Sequence, residues 1–227
     1  MLGSWAQVKG SNLSSVARVW TTSDFVGLGN GLPTTLSGTS VTVNGAPAAV
    51  YYASPGQVTF QVPSGVSGTV SVQVLRNGVG SNVVTGTAIT SAPGIFPVVL
   101  YGINYAAGVS LDGKIVGDPD MGSAFREAVP GDVVQLFATG LAPSPAGTLV
   151  GVQNVDAVTV TVGSITFPAE AAALVVPGEF QVNFTVPQEF ASAPEGIYPI
   201  TISINGVSSP ITINSTPPAQ LVLPIHH

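Results

Sequence analysis

The chain of 227 residues has no cysteine, few charged side chains and no long apolar run. The absence of cysteine excludes disulfides and thiolate metal sites. Charged residues make up 7% of the chain, well below the share in an ordinary soluble domain. Only five of them are lysine or arginine, too few to neutralise many phosphates, so no nucleic-acid partner is expected. No segment is as long and apolar as a membrane-spanning helix, so no membrane span is expected.

Histidine is almost as scarce. The chain has two histidines, His226 and His227, and they are its last residues. A Ser-His-Asp triad needs an internal histidine, so the sequence offers no candidate catalytic residue of that kind. A histidine zinc site is excluded for the same reason, unless the terminal pair folds back or meets a neighbouring chain. A tag remnant or a frayed terminus accounts for the same two residues.

What the chain does contain is an internal repeat. Three segments of the first half return in the same order and at nearly constant spacing in the second half, and such self-similarity is the mark of duplicated domains. The matched segments are 3–13 with 131–141, 57–63 with 181–187, and 77–81 with 205–209.

Strand and turn signals dominate both halves. Apolar and polar residues alternate with period two, which is typical of half-buried strands. The alternating segments are 40–43, 58–62, 70–74, 158–162, 182–186 and 200–204. Asn-Gly and Asp-Gly pairs, which favour hairpin turns, occur at 44–45, 77–78, 112–113 and 205–206. The sequence therefore predicts an all-β protein with two tandem immunoglobulin-like antiparallel sandwiches.

The domain boundaries follow from the repeat. We predict a first sandwich over residues 1–90, a hairpin linker over 91–129, a second sandwich over 130–215 and an extended tail over 216–227. The linker is too long and too rich in aromatic residues to be a flexible tether, so we expect it to be packed. The start of the chain runs straight into the first repeat, which we interpret as a cut inside a longer protein.

Segments 20–26, 32–45 and 48–58 resemble the uncharacterised C-terminal β-domain shared by many large secreted proteins of acidobacteria. Both halves also resemble IPT/TIG immunoglobulin-like domains, through a Gly-x-Asn-Leu and an Asn-Gly-Val-x-Ser pattern. The resemblance runs from Gly3 to about Ile213. It implies a tandem immunoglobulin-like module of an exported protein and carries over no catalytic residue. The segment around Trp20 has no counterpart in the second repeat.

That unrepeated segment supplies the first candidate site. Asp24 lies between Trp20 and Phe25, a combination suited to sugar binding, since rings can stack on a sugar and a carboxylate can accept from its hydroxyls. The alternative is that the two rings only cover the edge of the first sandwich. Tyr51 and Tyr52 follow on a predicted strand, where period two places one ring in the core and the other outside.

Oxygen-ligand metal sites form the second candidate. The acids of the linker, Asp112, Asp118 and Asp120, include an Asp-x-Asp spacing that suits a hard divalent cation. His226 and His227 could join such a site. Otherwise these acids simply solvate their loops. No cofactor is expected apart from such a metal ion.

We expect a non-enzymatic extracellular or cell-surface module for adhesion, presentation or spacing, exported within a longer bacterial precursor. Its partner would be a protein or a polysaccharide at the cell surface. Two alternatives stay open: a carbohydrate-binding module centred on Trp20, Asp24 and Phe25, and a metal-assisted esterase or phosphoesterase built on the same scaffold.

Overall fold

The computed structural model describes residues 1–213 and 219–227 and is all-β. Within that described part, the only helical elements are short 3-10 turns, and none is long and apolar enough to cross a membrane. The chain divides into two compact units. Unit 1 comprises Met1–Thr90, Ala142–Gly151 and Val175–Glu179, and unit 2 comprises Ser91–Leu141, Val152–Leu174 and Phe180–His227.

Unit 1 is built from short strands separated by glycine-rich turns. They are β1 (Trp5–Lys9), β2 (Arg18–Val19), β3 (Thr35–Leu36), β4 (Thr39–Val43), β5 (Ala46–Ala48), β6 (Val50–Ala53), β7 (Gln57–Gln61), β8 (Gly68–Arg76), β9 (Val79–Gly80) and β10 (Val84–Ala88). A first 3-10 helix (Thr22–Phe25) follows β2. The alternating burial along β4 and β7 is the period-two pattern that the sequence predicts.

The strands of unit 1 form two antiparallel sheets. One sheet has the order β1-β7-β6-β2, and the other has the order β10-β8-β4-β3, with β5 paired to β4 and β9 paired to β8. Inward-facing side chains of both sheets form one apolar core. Its members include Leu36, Val41, Val43, Val50, Val58, Phe60, Val72 and Val74. Burial of these branched side chains is the main force that holds the sandwich together.

The remaining strands lie wholly or mainly in unit 2. They are β11 (Gly94–Ile95), β12 (Pro97–Leu100), β13 (Ile103–Ala106), β14 (Gly108–Ser110), β15 (Ile115–Val116), β16 (Phe125–Arg126), β17 (Val133–Thr139), β18 (Gln153–Asn154), β19 (Thr159–Val162), β20 (Ile165–Pro168), β21 (Ala171–Val176), β22 (Glu179–Thr185), β23 (Gly196–Ile204), β24 (Val207–Ser208), β25 (Thr212–Ile213) and β26 (Ala219–Ile225). Two further 3-10 helices span Pro119–Met121 and Gln188–Ser192.

Unit 2 also has two sheets. The first has the order β16-β15-β14-β17-β22-β21-β18, with β11 paired to β17. The second has the order β12-β13-β26-β23-β19-β20, with β24 paired to β23 and β25 paired to β26. Fully buried side chains come from both sheets: Val134, Leu136, Val160, Val182, Phe184, Ile200, Ile202 and Leu223.

The segment predicted as a hairpin linker contributes strands to unit 2. β14 and β15 form the expected hairpin around Asp112 and Gly113, and β14 also pairs with β17. β12 and β13 form a second hairpin, and β13 pairs with β26 in parallel. Most of the predicted extended tail is the strand β26, and residues 214–218 lie outside the described part.

The two repeats pair their strands in the same register. In the first repeat Trp5 on β1 lies opposite Gln61 on β7. In the second repeat the equivalent Val133 on β17 lies opposite Thr185 on β22. Both strand pairs are antiparallel, and the register continues along them residue by residue. The sequence repeat is therefore a structural repeat.

The repeated Asn-Gly turns are also alike. Asn77 and Gly78 have φ values of 49° and 81°, and Asn205 and Gly206 have 52° and 77°. A type I′ hairpin turn needs positive φ at both central residues, and asparagine and glycine tolerate it at low cost. Each turn closes a hairpin, β8–β9 in unit 1 and β23–β24 in unit 2.

Candidate functional site

Four aromatic rings of unit 1 lie together and are here called the aromatic cluster: Trp5, Trp20, Phe25 and Tyr51. Trp20 is its centre, with ring centroids 5.8 Å from Trp5, 5.2 Å from Phe25 and 5.0 Å from Tyr51. The contacts of Trp20 are edge-to-face, a favourable geometry for aromatic pairs. None of the four rings is fully buried, and Tyr51 is 39% exposed. The cluster is thus ordered and still open to solvent.

The sheet β1-β7-β6-β2 positions three of these rings. Trp5 begins β1, Tyr51 lies on β6, and Trp20 directly follows β2. The indole Nε1 of Trp5 donates to the backbone oxygen of Pro177 at 2.8 Å, which fixes the orientation of that ring. Trp20 also packs partly against the core of unit 1. The two tryptophans therefore form the anchored part of the cluster.

A β-bulge places both tyrosines outside the core. The register of β6 against β7 shifts between Val50 and Tyr52, so Tyr51 is the extra residue. Val50 and Ala53 are both fully buried although they are three residues apart. Neither Tyr51 nor Tyr52 is buried. The expectation that one of them lies in the core is wrong, because a bulge interrupts the period-two alternation.

Asp24 is paired with an arginine. Its Oδ1 accepts from Nη2 of Arg18 at 2.7 Å, and its Oδ2 accepts from Nη1 of Arg18 at 2.8 Å. The same carboxylate accepts from the amide and the hydroxyl of Thr21, at 2.6 and 3.1 Å. The guanidinium of Arg18, and next the amide of Thr21, hold the pKa of Asp24 well below its usual range. A sugar hydroxyl at Asp24 would have to compete with these donors.

The Arg18–Asp24 pair orders the segment that carries two rings of the cluster. Asp24 and Thr21 form a capping box on the first 3-10 helix, which ends at Phe25. Arg18 is further held by a bond from Nε to Oγ of Ser37 at 2.7 Å. Sheet, ion pair and cap together fix the direction in which Phe25 meets Trp20.

Trp20, Asp24 and Phe25, the sequence-predicted candidates, thus lie side by side. Sequence reasoning missed Trp5, Tyr51 and Arg18. The Thr-x-x-Asp spacing from Thr21 to Asp24 is a readable capping signal, but nothing in the spacing identifies Arg18 as the partner of Asp24.

The linker acids of unit 2 have protein partners. Asp112 forms an ion pair with Nε of Arg126 at 3.1 Å and accepts from the amide of Lys114 at 3.2 Å. The Lys114 amide, together with the charge of Arg126, lowers the pKa of Asp112. Nη1 of Arg126 also donates to Oδ2 of Asp132 at 2.6 Å. A guanidinium therefore lies between Asp112 and Asp132, where a cation would otherwise be drawn.

The other two linker acids lie on the second 3-10 helix. Oδ1 of Asp118 accepts from the amide of Asp120 at 2.9 Å and caps that helix. Asp120 is exposed. Over residues 1–213 and 219–227 no group of three or more histidine, aspartate or glutamate side chains has the geometry of a metal site.

The terminal histidines lie beside two glutamates. Nδ1 of His226 is 3.1 Å from Oε1 of Glu195 and 3.7 Å from Oε2 of Glu127. Nδ1 of His227 is 3.8 Å from the same oxygen of Glu195. The described partners of the pair are therefore glutamates that the sequence did not single out.

Comparison with known proteins finds one family model that matches part of the chain. The IPT/TIG domain model matches residues 8–91, so an IPT/TIG immunoglobulin-like domain is present in the first part of the chain. The match covers most of the first repeat and less than half of the chain. No curated protein sequence matches the chain.

Among solved structures, SGBP-B of the Bacteroides ovatus mixed-linkage glucan utilization locus, in complex with a mixed-linkage heptasaccharide, is similar over 99% of this chain and 42% of its own, at 13% identity and a TM-score of 0.38. A surface glycan-binding protein from Prevotella bryantii is similar over 98% of this chain and 37% of its own, at 15% identity and a TM-score of 0.29. The chain thus spans about two fifths of the length of these structures.

Proposed function

We propose that this chain is a non-enzymatic immunoglobulin-like module of a larger exported bacterial protein, acting in adhesion, presentation or spacing at the cell surface. The duplicated architecture supports the proposal. Both repeats have the same strand register and the same Asn-Gly hairpin, so the chain contains two copies of one β-sandwich scaffold. Rigid sandwiches with functional loops are a common design for recognition modules.

Location at the cell surface can be tested directly. Antibodies raised against the chain should label intact cells of the source bacterium or detect the protein in its culture medium. Added protease should remove the label from intact cells while a cytosolic marker stays unchanged. A signal that appears only after lysis would contradict the proposal.

A second candidate function, polysaccharide binding, rests on the aromatic cluster. Ligand sites in proteins combine apolar and aromatic surface with a few polar groups. The partly exposed rings of Trp20, Phe25 and Tyr51 offer such a surface, and their edge-to-face packing holds them before any ligand arrives. Rings that are already ordered lose little conformational entropy on binding, which favours affinity. The apolar C–H faces of sugar rings suit this surface.

The residues of this site have different parts in the proposal. Tyr51 is the most exposed of the four rings and is assigned the direct contact. Trp20 links the other rings, and Phe25 extends the surface from the end of the 3-10 helix. Asp24 and Arg18 are positioning residues, because the carboxylate of Asp24 already accepts two hydrogen bonds from the guanidinium of Arg18.

The test is retention of the whole chain in native gels that contain soluble plant or bacterial polysaccharides. One gel per polysaccharide identifies the class that slows the protein. Tyr51→Ala should weaken that retention by about fivefold, since losing one aromatic contact costs on the order of 1 kcal/mol. Tyr101→Ala is the matched control, because Tyr101 is 90% exposed and lies in unit 2.

Three outcomes would contradict the polysaccharide proposal. They are the absence of retention by any polysaccharide, equal loss in the Tyr51 and Tyr101 variants, or full retention in a Trp20→Ala variant that keeps the thermal midpoint of the parent protein.

A further inference from the structure

Strands β10 and β26 occupy the same place in the two repeats. β10 pairs antiparallel with the start of β8, where Ala88 lies opposite Gly68. β26 pairs antiparallel with the start of β23, where Ile225 lies opposite Gly196. β8 and β23 are equivalent strands, since both are nine residues long and both run into the repeated Asn-Gly turn. Each repeat therefore has a strand at this position of its sheet, although different parts of the chain supply it.

In unit 2 the outer edge of this strand is covered. β13 runs parallel to β26, with Tyr105 opposite Val222. Farther along the same edge, the amide of Ala128 donates to the backbone oxygen of Pro224 at 3.0 Å, and the amide of His226 donates to the backbone oxygen of Ala128 at 2.9 Å. β26 is thus hydrogen-bonded on both sides.

In unit 1 no strand of residues 1–213 or 219–227 pairs with the outer edge of β10, so β10 is the last strand of its sheet there. The orientation of its backbone follows from Ser71 on β8, which lies opposite Thr85. The amide of Asn44 donates to the oxygen of Ser71 at 2.8 Å, and the amide of Ser71 donates to Oδ1 of Asn44 at 2.7 Å. Ser71 therefore directs its backbone groups away from β10. Its opposite residue Thr85, and Thr87 two positions on, then direct theirs outward from the sheet.

The same rule holds in unit 2, which checks the assignment. The oxygen of Pro199, the equivalent of Ser71, accepts from the amide of Gly163 at 2.8 Å, away from β26. Val222 lies opposite Pro199 and directs its backbone groups outward, to β13. Thr85 of unit 1 is thus the counterpart of Val222, the residue at which β13 joins the sheet.

The open edge of β10 carries none of the usual protection. Natural edge strands are guarded by lysine, proline, bulges or inward charges, because exposed edges pair with other chains. Residues 83–90 contain no charged residue and no proline. Val83, Val84 and Ile89 are between 41% and 53% exposed. The edge is uncharged, exposed and rich in β-branched residues, a combination that favours addition of a strand.

We propose that the outer edge of β10 binds an extended, uncharged segment of another polypeptide, which joins the sheet as a parallel strand in the way that β13 joins β26. Backbone groups of Thr85 and Thr87 make the ladder, and Val83 and Ile89 flank the added strand. The partner is a strand of the β13 kind, because that is what covers the equivalent edge within this chain. The site is separate from the aromatic cluster, whose strands belong to the other sheet of unit 1.

The probe is an acetylated and amidated peptide with the sequence of residues 102–108, which contains β13. Amide hydrogen exchange of the whole chain, followed by NMR, should show slower exchange at Thr85 and Thr87 when the peptide is added. The amides of Val84 and Gly86 already face β8 and should change little. Two N-methylated peptides give a matched pair that needs no protein variant.

The pairing geometry decides which methyl group should matter. In a parallel ladder, Val222 bonds to the two residues that flank Tyr105, namely Asn104 and Ala106. The amide of Ala106 therefore faces β26, and the amide of Tyr105 faces away from it. In the bound peptide the same two amides should face toward and away from β10. N-methylation at the Ala106 position should weaken binding by about tenfold, the effect of one well-formed hydrogen bond. N-methylation at the Tyr105 position should leave binding within about twofold of the parent peptide.

Protein variants test the same edge from the other side. Thr85→Pro removes an outward amide without breaking a bond to β8, and proline is tolerated at such edge positions. It should reduce peptide affinity by about tenfold, and Thr85→Val, which keeps the amide, should not. The proposal is overturned if the peptide does not slow amide exchange at Thr85 and Thr87, or if it slows exchange along β26 instead. It is also overturned if exchange at Thr85 and Thr87 slows when only the protein concentration is raised. The last result would indicate that two copies pair edge to edge.

Discussion

The side chain of Gln61 bonds to the backbone amide of Gly147, a residue of unit 1 that is distant in sequence. Its Oε1 accepts from that amide at 2.8 Å, and its Nε2 donates to the backbone oxygen of Gly3 at 2.9 Å. The side chain is 1% exposed. This buried side chain bonds to backbone groups of two distant segments and so acts as a clamp. Its loss would leave the buried oxygen of Gly3 without that donor.

Gln61→Leu should therefore lower the free energy of unfolding of unit 1. The expected loss is about 1–3 kcal/mol, the cost of leaving a buried polar group unpaired. Calorimetric or urea unfolding of the whole chain measures it. Gln57→Leu is the control, since the side-chain Nε2 of Gln57 donates to the hydroxyl of Thr59 at 3.3 Å, a long bond whose loss should cost little. Equal effects of the two variants would refute the clamp.

Asp24→Asn should destabilise unit 1 at neutral pH by removing the charge that faces Arg18. The pKa of Asp24 is lower in the folded than in the unfolded chain. Its stabilising effect is therefore complete above the unfolded pKa near 4 and disappears as the pH falls through the lower folded pKa. The difference in thermal midpoint between the parent protein and the variant should be largest near pH 7 and shrink below pH 4. Asp156→Asn, at an exposed position of unit 2, controls for the loss of one charge.

Glu179→Gln should stabilise the protein at neutral pH, whereas Asp24→Asn should destabilise it. Burial raises the pKa of Glu179, so the folded chain holds that proton more strongly than the unfolded chain. The ionised carboxylate then opposes folding at neutral pH, and the cost is relieved as the pH falls through the raised folded pKa. The variant should melt at a higher temperature than the parent protein at pH 7–8 and at a similar temperature below about pH 4. Glu189→Gln, at an exposed position, controls for the loss of one charge.

Arg126→Met should make the thermal midpoint of unit 2 depend on calcium. In the parent protein the guanidinium of Arg126 lies between Asp112 and Asp132, so added calcium should change the midpoint little. Without it, Asp112 and Asp132 lose the cation that they share, and the midpoint should fall. Calcium should then restore part of the loss, since it prefers carboxylate oxygens. Melting curves with calcium or with a chelator measure both effects. A strong calcium response of the parent protein would favour the metal site predicted from the linker acids.

The repeat, the strands and the hairpins could be predicted from the sequence because they depend on local chemistry. Alternation of apolar and polar residues determines which face of β4 or β7 is buried, and Asn77 with Gly78 determines a turn. The proximity of Trp20, Asp24 and Phe25 follows from their closeness in the chain. Strand alternation, the turns and this short segment each depend on a few consecutive residues, so they can be predicted from the sequence.

The tertiary structure alone decided the partners of those residues. The bulge at Tyr51 depends on how β6 pairs with β7, and Trp5 meets the oxygen of Pro177 only after distant segments fold together. Side chains do not determine which backbone groups of a strand are paired, so the sequence does not reveal the open edge at Thr85. It is recognised when β10 is compared with β26, whose equivalent edge is covered by β13. Local propensity thus sets the strands, and long-range pairing sets what each strand presents to solvent or to a partner.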